Sequence, residues 1–277
     1  MNKIDEYRKS IYGRPATIRT KLSLFNQHIA HHFRGQTIET SIEHCIKDWK
    51  SNDLSLGTIK ILFSILKEFA SLSYKTNIDT KRLKFKYFSN EIKSQPRLKV
   101  WDKEQVKTAM EDAIVKDPEL YDVMAVALGT GIRRGEIFAL TWEDIDFLRG
   151  EITVSKSLDK DTYIIGPTKT KQVRVIQMLM WVGEIFEKNY KPKYKKEHCF
   201  KTFNPNVRLK ALAIRNSLPV ITFHGLRHIY SSTLLESGIS PKWVSQQLGH
   251  SRLTTTIDLY WSCFTQKQNL DNMYGIN

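Results

Sequence analysis

The apolar positions of PATIRTKLSLFNQHIAHHF (15–33) fall at Ile18, Leu22, Leu24, Phe25 and Ile29, a spacing that lines one stripe of a helix. Pro15 opens the stretch, where its fixed φ and missing N–H suit a first helical turn. TSIEHCIKDWKS (40–51) predicts a second helix, with an S-x-E start at Ser41 that resembles an N-cap. LSLGTIKILFSILKEFASLSYK (54–75) predicts a third, apolar on more than one face and therefore central to a core. KRLKFK (81–86) and NEIKSQPRLKVW (90–101) break the pattern. Pro96 and its polar neighbours mark a linker and a domain boundary near 90–99.

Beyond the linker, DKEQVKTAMEDA (102–113) opens a helix with Asp102 as N-cap, and LYDVMAVALGTG (120–131) is an apolar helix ending at Gly129–Gly131. IRRGEIFAL (132–140) reads as another helix start. EITVSKS (151–157), TYIIG (162–166) and VRVIQM (173–178) are short β-prone runs separated by polar turns, which predicts one small antiparallel sheet; helices resume near 180. The fold expected is mainly α with a small antiparallel β-sheet. It comprises a helical domain over 1–90, a basic linker over 91–99 and an α+β domain over 100–277 with a short tail, 262–277.

Charge sharpens this picture. The 277 residues carry a formal charge of +14 and a pI of about 9.6. Residues 1–100 hold 19 Lys and Arg against 9 Asp and Glu; the remainder holds 24 against 20. The first third is the more polyanion-seeking part. Cys45, Cys199 and Cys263 are widely spaced and form no CxxC pair, which fits a reducing cytoplasm. The first residues show no apolar signal core, no run reaches the roughly 18 apolar residues of a membrane span, and no metal-ligand spacing is visible.

Four patches carry candidate chemistry. In TGIRRGE (130–136), Arg133 stands near a helix N-terminus, whose N–H groups suit a phosphate. Glu136, three residues on, shares its face and can hold the guanidinium; a capped helix with a surface ion pair looks the same. In GPTKTKQVRV (166–175), Lys169 and Lys171 lie in the turn between two strands, solvated or poised to donate a proton. In FHGLRHIYSSTLLESG (223–238), His224 and Arg227 share one helical face and His228 points to another. In LGHSRLTTTIDLYW (248–261), His250 precedes Tyr260 by ten residues. On a continuous helix the two would not share a face, and the β-branched TTT (254–256) predicts a break that brings Tyr260 back. Tyr260 alone reads as a buried aromatic, since a tyrosine picked at random is rarely a nucleophile.

The order Arg, Lys, His-x-x-Arg, His, Tyr resembles the tyrosine recombinases of the phage integrase family. ALGTGIRRGEIFALTWEDID (127–146), FHGLRHIYSSTLLESGI and LGHSRLTTTIDLY resemble their catalytic boxes, and residues 12–90 resemble their helical core-binding domain. The resemblance implies an enzyme that cuts and rejoins DNA without ATP, metal or other cofactor. Tyr260 would be the nucleophile, forming a 3′-phosphotyrosyl link. Arg133 and Arg227 would hold the phosphate. His224 and His250 would assist proton transfer, Glu136 would buttress Arg133, and Lys169 would be the general acid, with Lys171 two residues away as its rival. Tyr230 and Tyr274 lack the histidine spacing.

It further implies a C-shaped clamp on double-stranded DNA bearing paired attachment sites. Lys81, Arg82, Lys84, Lys86, Lys93, Arg97 and Lys99 would lie on that DNA. A homotetramer would form on two sites, with Leu270, Met273 and Tyr274 of the tail docked in the same chain or a neighbour. Accessory DNA-bending or directionality factors and a cytoplasmic location belong to the same expectation. The first helix, expected near residue 15, leaves no room for an arm-site-binding module. Integration or excision of a mobile element is the activity implied. A chromosome-dimer resolvase, a type IB topoisomerase and a catalytically silent DNA-binding regulator are the alternatives.

Overall fold

The computed structural model describes residues 3–13, 15–35, 37–81, 83, 100–170, 172–190 and 195–263, with backbone alone for 259–263. It divides into two compact units, Met1–Pro96 and Arg97–Asn277.

The first unit is helical: α1 (Lys3–Ser10), α2 (Pro15–His28), a 3-10 turn (Ala30–Phe33), α3 (Ile38–Ser51) and α4 (Leu56–Tyr74). α4 buries Ile59, Leu62, Phe63, Ile65, Leu66, Phe69 and Ala70, more than one stripe, because it packs against both α1 and α2. Phe69 is the hub of an aromatic cluster, with ring centroids 5.2 Å from Tyr7, 5.0 Å from Phe25 and 4.9 Å from Phe33. Trp49 donates its Nε1 hydrogen to the His28 carbonyl at 3.0 Å, tying α3 to the end of α2.

Two expectations need correction here. The first helix does not begin near residue 15: α1 precedes it and buries Ile4 and Tyr7, a contribution too short to register as a periodic stripe. Nor does Ser41 cap α3. Thr37 does, its Oγ1 accepting from the Thr40 N–H at 3.3 Å, while Ser41 is buried in the first turn and donates to the Thr37 carbonyl.

The second unit opens with α5 (Lys103–Lys116) and α6 (Pro118–Thr130). Asp102 caps α5 as expected, in a reciprocal box: its Oδ1 accepts from the Gln105 N–H at 2.9 Å, and Gln105 Oε1 accepts from the Asp102 N–H at 3.2 Å. α6 is buried along most of its length and ends at Gly131, whose φ of +63° turns the chain sharply. A Cβ there would collide with the Tyr230 ring and lie 2.7 Å from Leu248 Cδ2, so glycine is required twice over. The helix expected over 132–140 shrinks to one turn, α7 (Arg134–Ile137).

Five short strands follow: β1 (Ile145–Asp146), β2 (Glu151–Val154), β3 (Lys156–Leu158), β4 (Ile165–Pro167) and β5 (Arg174–Gln177). All pairings are antiparallel, but they form two sheets rather than one, in the orders β1-β2-β5 and β3-β4. Lys169 therefore does not sit at the tip of a hairpin. It lies on the loop that carries the chain from β4 in one sheet to β5 in the other. Thr168, buried at the root, donates its hydroxyl to the Gln172 carbonyl at 3.1 Å and closes that loop.

The chain ends in α8 (Met180–Asn189), α9 (Pro205–Arg215), α10 (Phe223–Glu236), α11 (Pro241–Leu248) and α12 (Leu253–Cys263). The break between His250 and Tyr260 comes at Gly249–Arg252 rather than at TTT. Gly249 takes a φ of +64° at the C-cap of α11, and the three threonines fall inside the first turn of α12. Glycine ends a helix more readily than β-branched residues prevent one from starting. No helix among the described residues is long and apolar enough to cross a membrane. The buried thiols Cys45 and Cys199 are free.

Candidate active site

Three arginines converge on the C-terminal end of α11. Arg174 donates its Nε hydrogen to the Gln247 carbonyl at 3.0 Å. Arg227 donates Nη2 to the Leu248 carbonyl at 2.6 Å and Nη1 to the Gly131 carbonyl at 2.7 Å. Arg133 donates Nη2 to the Gly249 carbonyl at 3.3 Å. Consecutive main-chain oxygens thus space three guanidinium groups taken from β5, α10 and the turn after α6. The open φ of Gly249 is part of this arrangement, since a Cβ there would lie 3.0 Å from Arg174 Cδ.

Glu136 is the anion within the cluster. It is 1% exposed. Arg174 binds both of its oxygens; Arg133 adds an Nη1 bond to Oε1 at 2.9 Å and a main-chain N–H bond to Oε2 at 2.9 Å. Burial alone would raise this carboxyl, but hydrogen bonds and charge from Arg174, with Arg133, hold it below the usual carboxylate value. The sequence pairing of Arg133 with Glu136 is therefore present, but as a buried network rather than a surface pair.

The histidines face the same cations. His250, half-buried just beyond α11, has Nδ1 2.8 Å from Thr256 Oγ1. Burial and the charges of Arg227 and Arg133 push it down to about 3. His224 stands in the first turn of α10, its ring 4.7 Å from that of His228. Loss of water at its packed edge, then His228, Arg227, Arg133 and Lys169, push it down to about 4. Both rings are neutral at pH 7. Arg227 itself, 2% exposed, is lowered to about 9 by burial and by Arg133. Lys169 is exposed on its loop, within electrostatic reach of His224.

Thr256 is fully buried, and position 260 falls one helical turn beyond it on the same face of α12. The side chain of Tyr260 lies outside the described residues, as do Lys171, Tyr274 and the tail positions Leu270 and Met273. Tyr230 is 7% exposed, its hydroxyl pushed up to about 12 by burial, and it packs with Val244 and Leu248. A cleft of about 390 Å³ opens beside the cluster, lined by Thr170, Arg174, Gly249 and His250 among others. Of the basic residues expected on DNA, Lys81 is exposed in the first unit. Arg82, Lys84, Lys86, Lys93, Arg97 and Lys99 lie outside the described residues.

Arg174 and Thr256 were missed by sequence reasoning. Arg174 left a trace: in β5 it alternates with the buried Ile176 and so shares the inward face, an unusual place for a cation. Thr256 left none.

The model of the phage integrase family matches residues 99–266, more than half of the chain. The ICEBs1 integrase of Bacillus subtilis is 24% identical over 285 aligned residues, covering 93% of this chain and 77% of that protein. A tyrosine recombinase XerC-like protein of Caldanaerobacter subterraneus is 27% identical over 204 residues, 61% of this chain. There the match spans only 52% of the relative's length. The Tn1549 transposon integrase, solved in complex with circular intermediate DNA, shares the fold with a TM-score of 0.78 at 21% identity, covering 99% of both chains. With the order of its motifs, the convergence of its arginines and histidines, and this match, the chain belongs to the phage integrase family.

Proposed function

We propose that the chain is a tyrosine-type site-specific recombinase that integrates or excises a mobile element. One observation carries the reading: Arg133, Arg227, Arg174, His224 and His250 share a site in which, among the described residues, Glu136 is the carboxylate that Arg133 and Arg174 bind, and Lys169 borders it. A cluster this cationic favours an anion held by planar N–H forks, which is what a phosphodiester offers. The ICEBs1 and Tn1549 integrases support a mobile-element setting over a chromosome-dimer resolvase.

In this reading the Tyr260 oxygen attacks the scissile phosphorus. A P–O bond to the phenolic oxygen forms, and the P–O5′ bond breaks. Arg133 and Arg227 bind the non-bridging oxygens and stabilise charge as it redistributes. The neutral imidazoles of His224 and His250 hydrogen-bond the phosphate, and one of them accepts the proton that the Tyr260 hydroxyl gives up as it attacks. Lys169 gives its proton to the departing 5′-oxygen. Rejoining is the reverse reaction, with a 5′-hydroxyl from the partner strand. The bond energy stays in the phosphotyrosyl ester, so no nucleotide cofactor is consumed.

Lys81, Arg82, Lys84, Lys86, Lys93, Arg97 and Lys99 serve as phosphate contacts on a duplex. A tetramer on paired sites, with accessory factors setting direction, completes the cytoplasmic reaction. The second unit has an apolar hollow of about 580 Å³, lined by Trp101, Val106, Met110, Leu128, Trp181 and Ile229 among others, a candidate seat for the tail of the same chain or of a neighbouring copy.

The test uses the element's attachment site, or a selected binding site, nicked near the cleavage point. Wild-type protein yields a covalent adduct on denaturing gels without added metal, and Tyr260→Phe binds but yields none. Binding without any adduct from wild type rejects the enzyme in favour of a silent regulator. An adduct that persists in Tyr260→Phe moves the nucleophile elsewhere, to Tyr274 first.

A further inference from the structure

The first unit gathers three side chains able to ligate a metal, apart from the phosphate chemistry of the second unit. His31 and His32 sit in the 3-10 turn after α2, and Asp48 lies on α3. Their ligating atoms all lie within 4.8 Å of one another. His32 Nε2 is 3.7 Å from Asp48 Oδ2, and the rings of His31 and His32 have centroids 3.9 Å apart. Zinc holds N and O donors at about 2.0–2.2 Å in a tetrahedron, which spaces them roughly 3.3 Å apart. The His32–Asp48 separation of 3.7 Å is already close to that spacing.

A second observation points to a ligand. His32 Nε2 is buried and makes no hydrogen bond of normal length, its approach to Asp48 Oδ2 being 3.7 Å. A polar nitrogen withdrawn from water needs a donor or a cation for its lone pair. His44 precedes Asp48 by one turn on α3, with its ring 6.3 Å from that of His32, within reach of a fourth position.

We propose that His31, His32 and Asp48 form a binding site for a divalent transition-metal ion of the zinc type. Two imidazoles and one carboxylate suit such an ion better than magnesium or calcium, which favour all-oxygen sets. The ion ties the turn Ala30–Phe33 to α3, at the junction already fastened by the Trp49 bond to His28. It takes no part in strand cleavage; it staples a small helical unit. The sequence hides the site because fifteen residues separate the adjacent histidines from the aspartate.

The experiment titrates zinc chloride into the EDTA-stripped full-length chain by calorimetry and repeats it on His31→Ala and Asp48→Asn. One ion per chain is expected, with affinity at least tenfold weaker in both variants. Zinc at about a hundred times the wild-type Kd raises the wild-type Tm by about 5 °C and raises that of the variants by no more than about half as much. His31 is exposed, so His31→Ala keeps its fold, which the melting temperature in EDTA verifies. No saturable binding overturns the proposal. Binding that survives in both variants overturns it equally, placing the ion elsewhere, such as at His224 and His250.

Discussion

Arg174 grips both carboxylate oxygens of Glu136, Nη1 to Oε1 at 3.2 Å and Nη2 to Oε2 at 2.7 Å. Because Arg133 binds the same carboxylate, Glu136 is the counter-ion that lets the guanidinium groups sit together. Glu136→Ala leaves these buried cations unpaired, and breaking a buried ion pair costs about 3–5 kcal/mol. The expected outcome is a loss of that size in denaturant unfolding. Arg174→Lys keeps the charge but loses the two-pronged contact; it is expected to lower DNA cleavage about tenfold with little change in DNA affinity.

His250 and Thr256 offer a gentler test. Thr256→Val keeps the buried shape and removes the hydroxyl that meets His250 Nδ1. A single neutral hydrogen bond contributes about 0.5–1.5 kcal/mol to stability. The variant should fold within that range of wild type yet form covalent adduct about tenfold more slowly, because the ring loses its fixed orientation. An unchanged adduct rate would show that the Thr256 hydroxyl does not position His250 for the reaction.

The general acid can be identified by its leaving group. Lys169→Ala should lose adduct formation on ordinary DNA by a hundredfold or more. A substrate with sulfur at the bridging 5′ position has a leaving group that needs no proton, so the variant should recover on it. If Lys171→Ala shows that rescue instead, the proton comes from Lys171.

Acid should weaken the fold in two stages. His250 and His224 are held at about 3 and about 4, against 6.5 in the unfolded chain. Between those values the unfolded state takes up protons that the folded state refuses, so stability is full above pH 6.5 and falls as the pH drops toward 4 and 3. Glu136, depressed from 4.5, adds a loss only below that pH. Denaturant midpoints at pH 7.5, 6 and 5 should decline in wild type and decline less in His250→Asn.

More of the cationic cluster than of its support was legible in the sequence. The helices of 15–75, the Asp102 cap and the antiparallel strands were legible because each depends on local periodicity or a local hydrogen bond. Arg133, Glu136, His224, Arg227 and His250 were legible as motifs. The split into two sheets was not, since strand partners are chosen across the chain: β5 pairs with β2 and β4 with β3. Arg174 showed only as a cation on the inward face of β5 and Thr256 not at all, because their partners lie 38 and 6 residues away, between elements or across a turn. The TTT break was misread because Gly249 had already supplied the bend.

The end of α11 also has an electrical meaning. The terminal carbonyls of a helix carry roughly half a negative charge. Three guanidinium groups lie on the oxygens of Gln247, Leu248 and Gly249. The helix therefore acts as a standing partial anion that keeps mutually repelling cations assembled before any nucleic acid arrives. Because that charge belongs to peptide groups, it does not depend on the side chains at those positions. An eight-residue helix thus writes the site's polarity into the backbone, where most substitutions leave it intact.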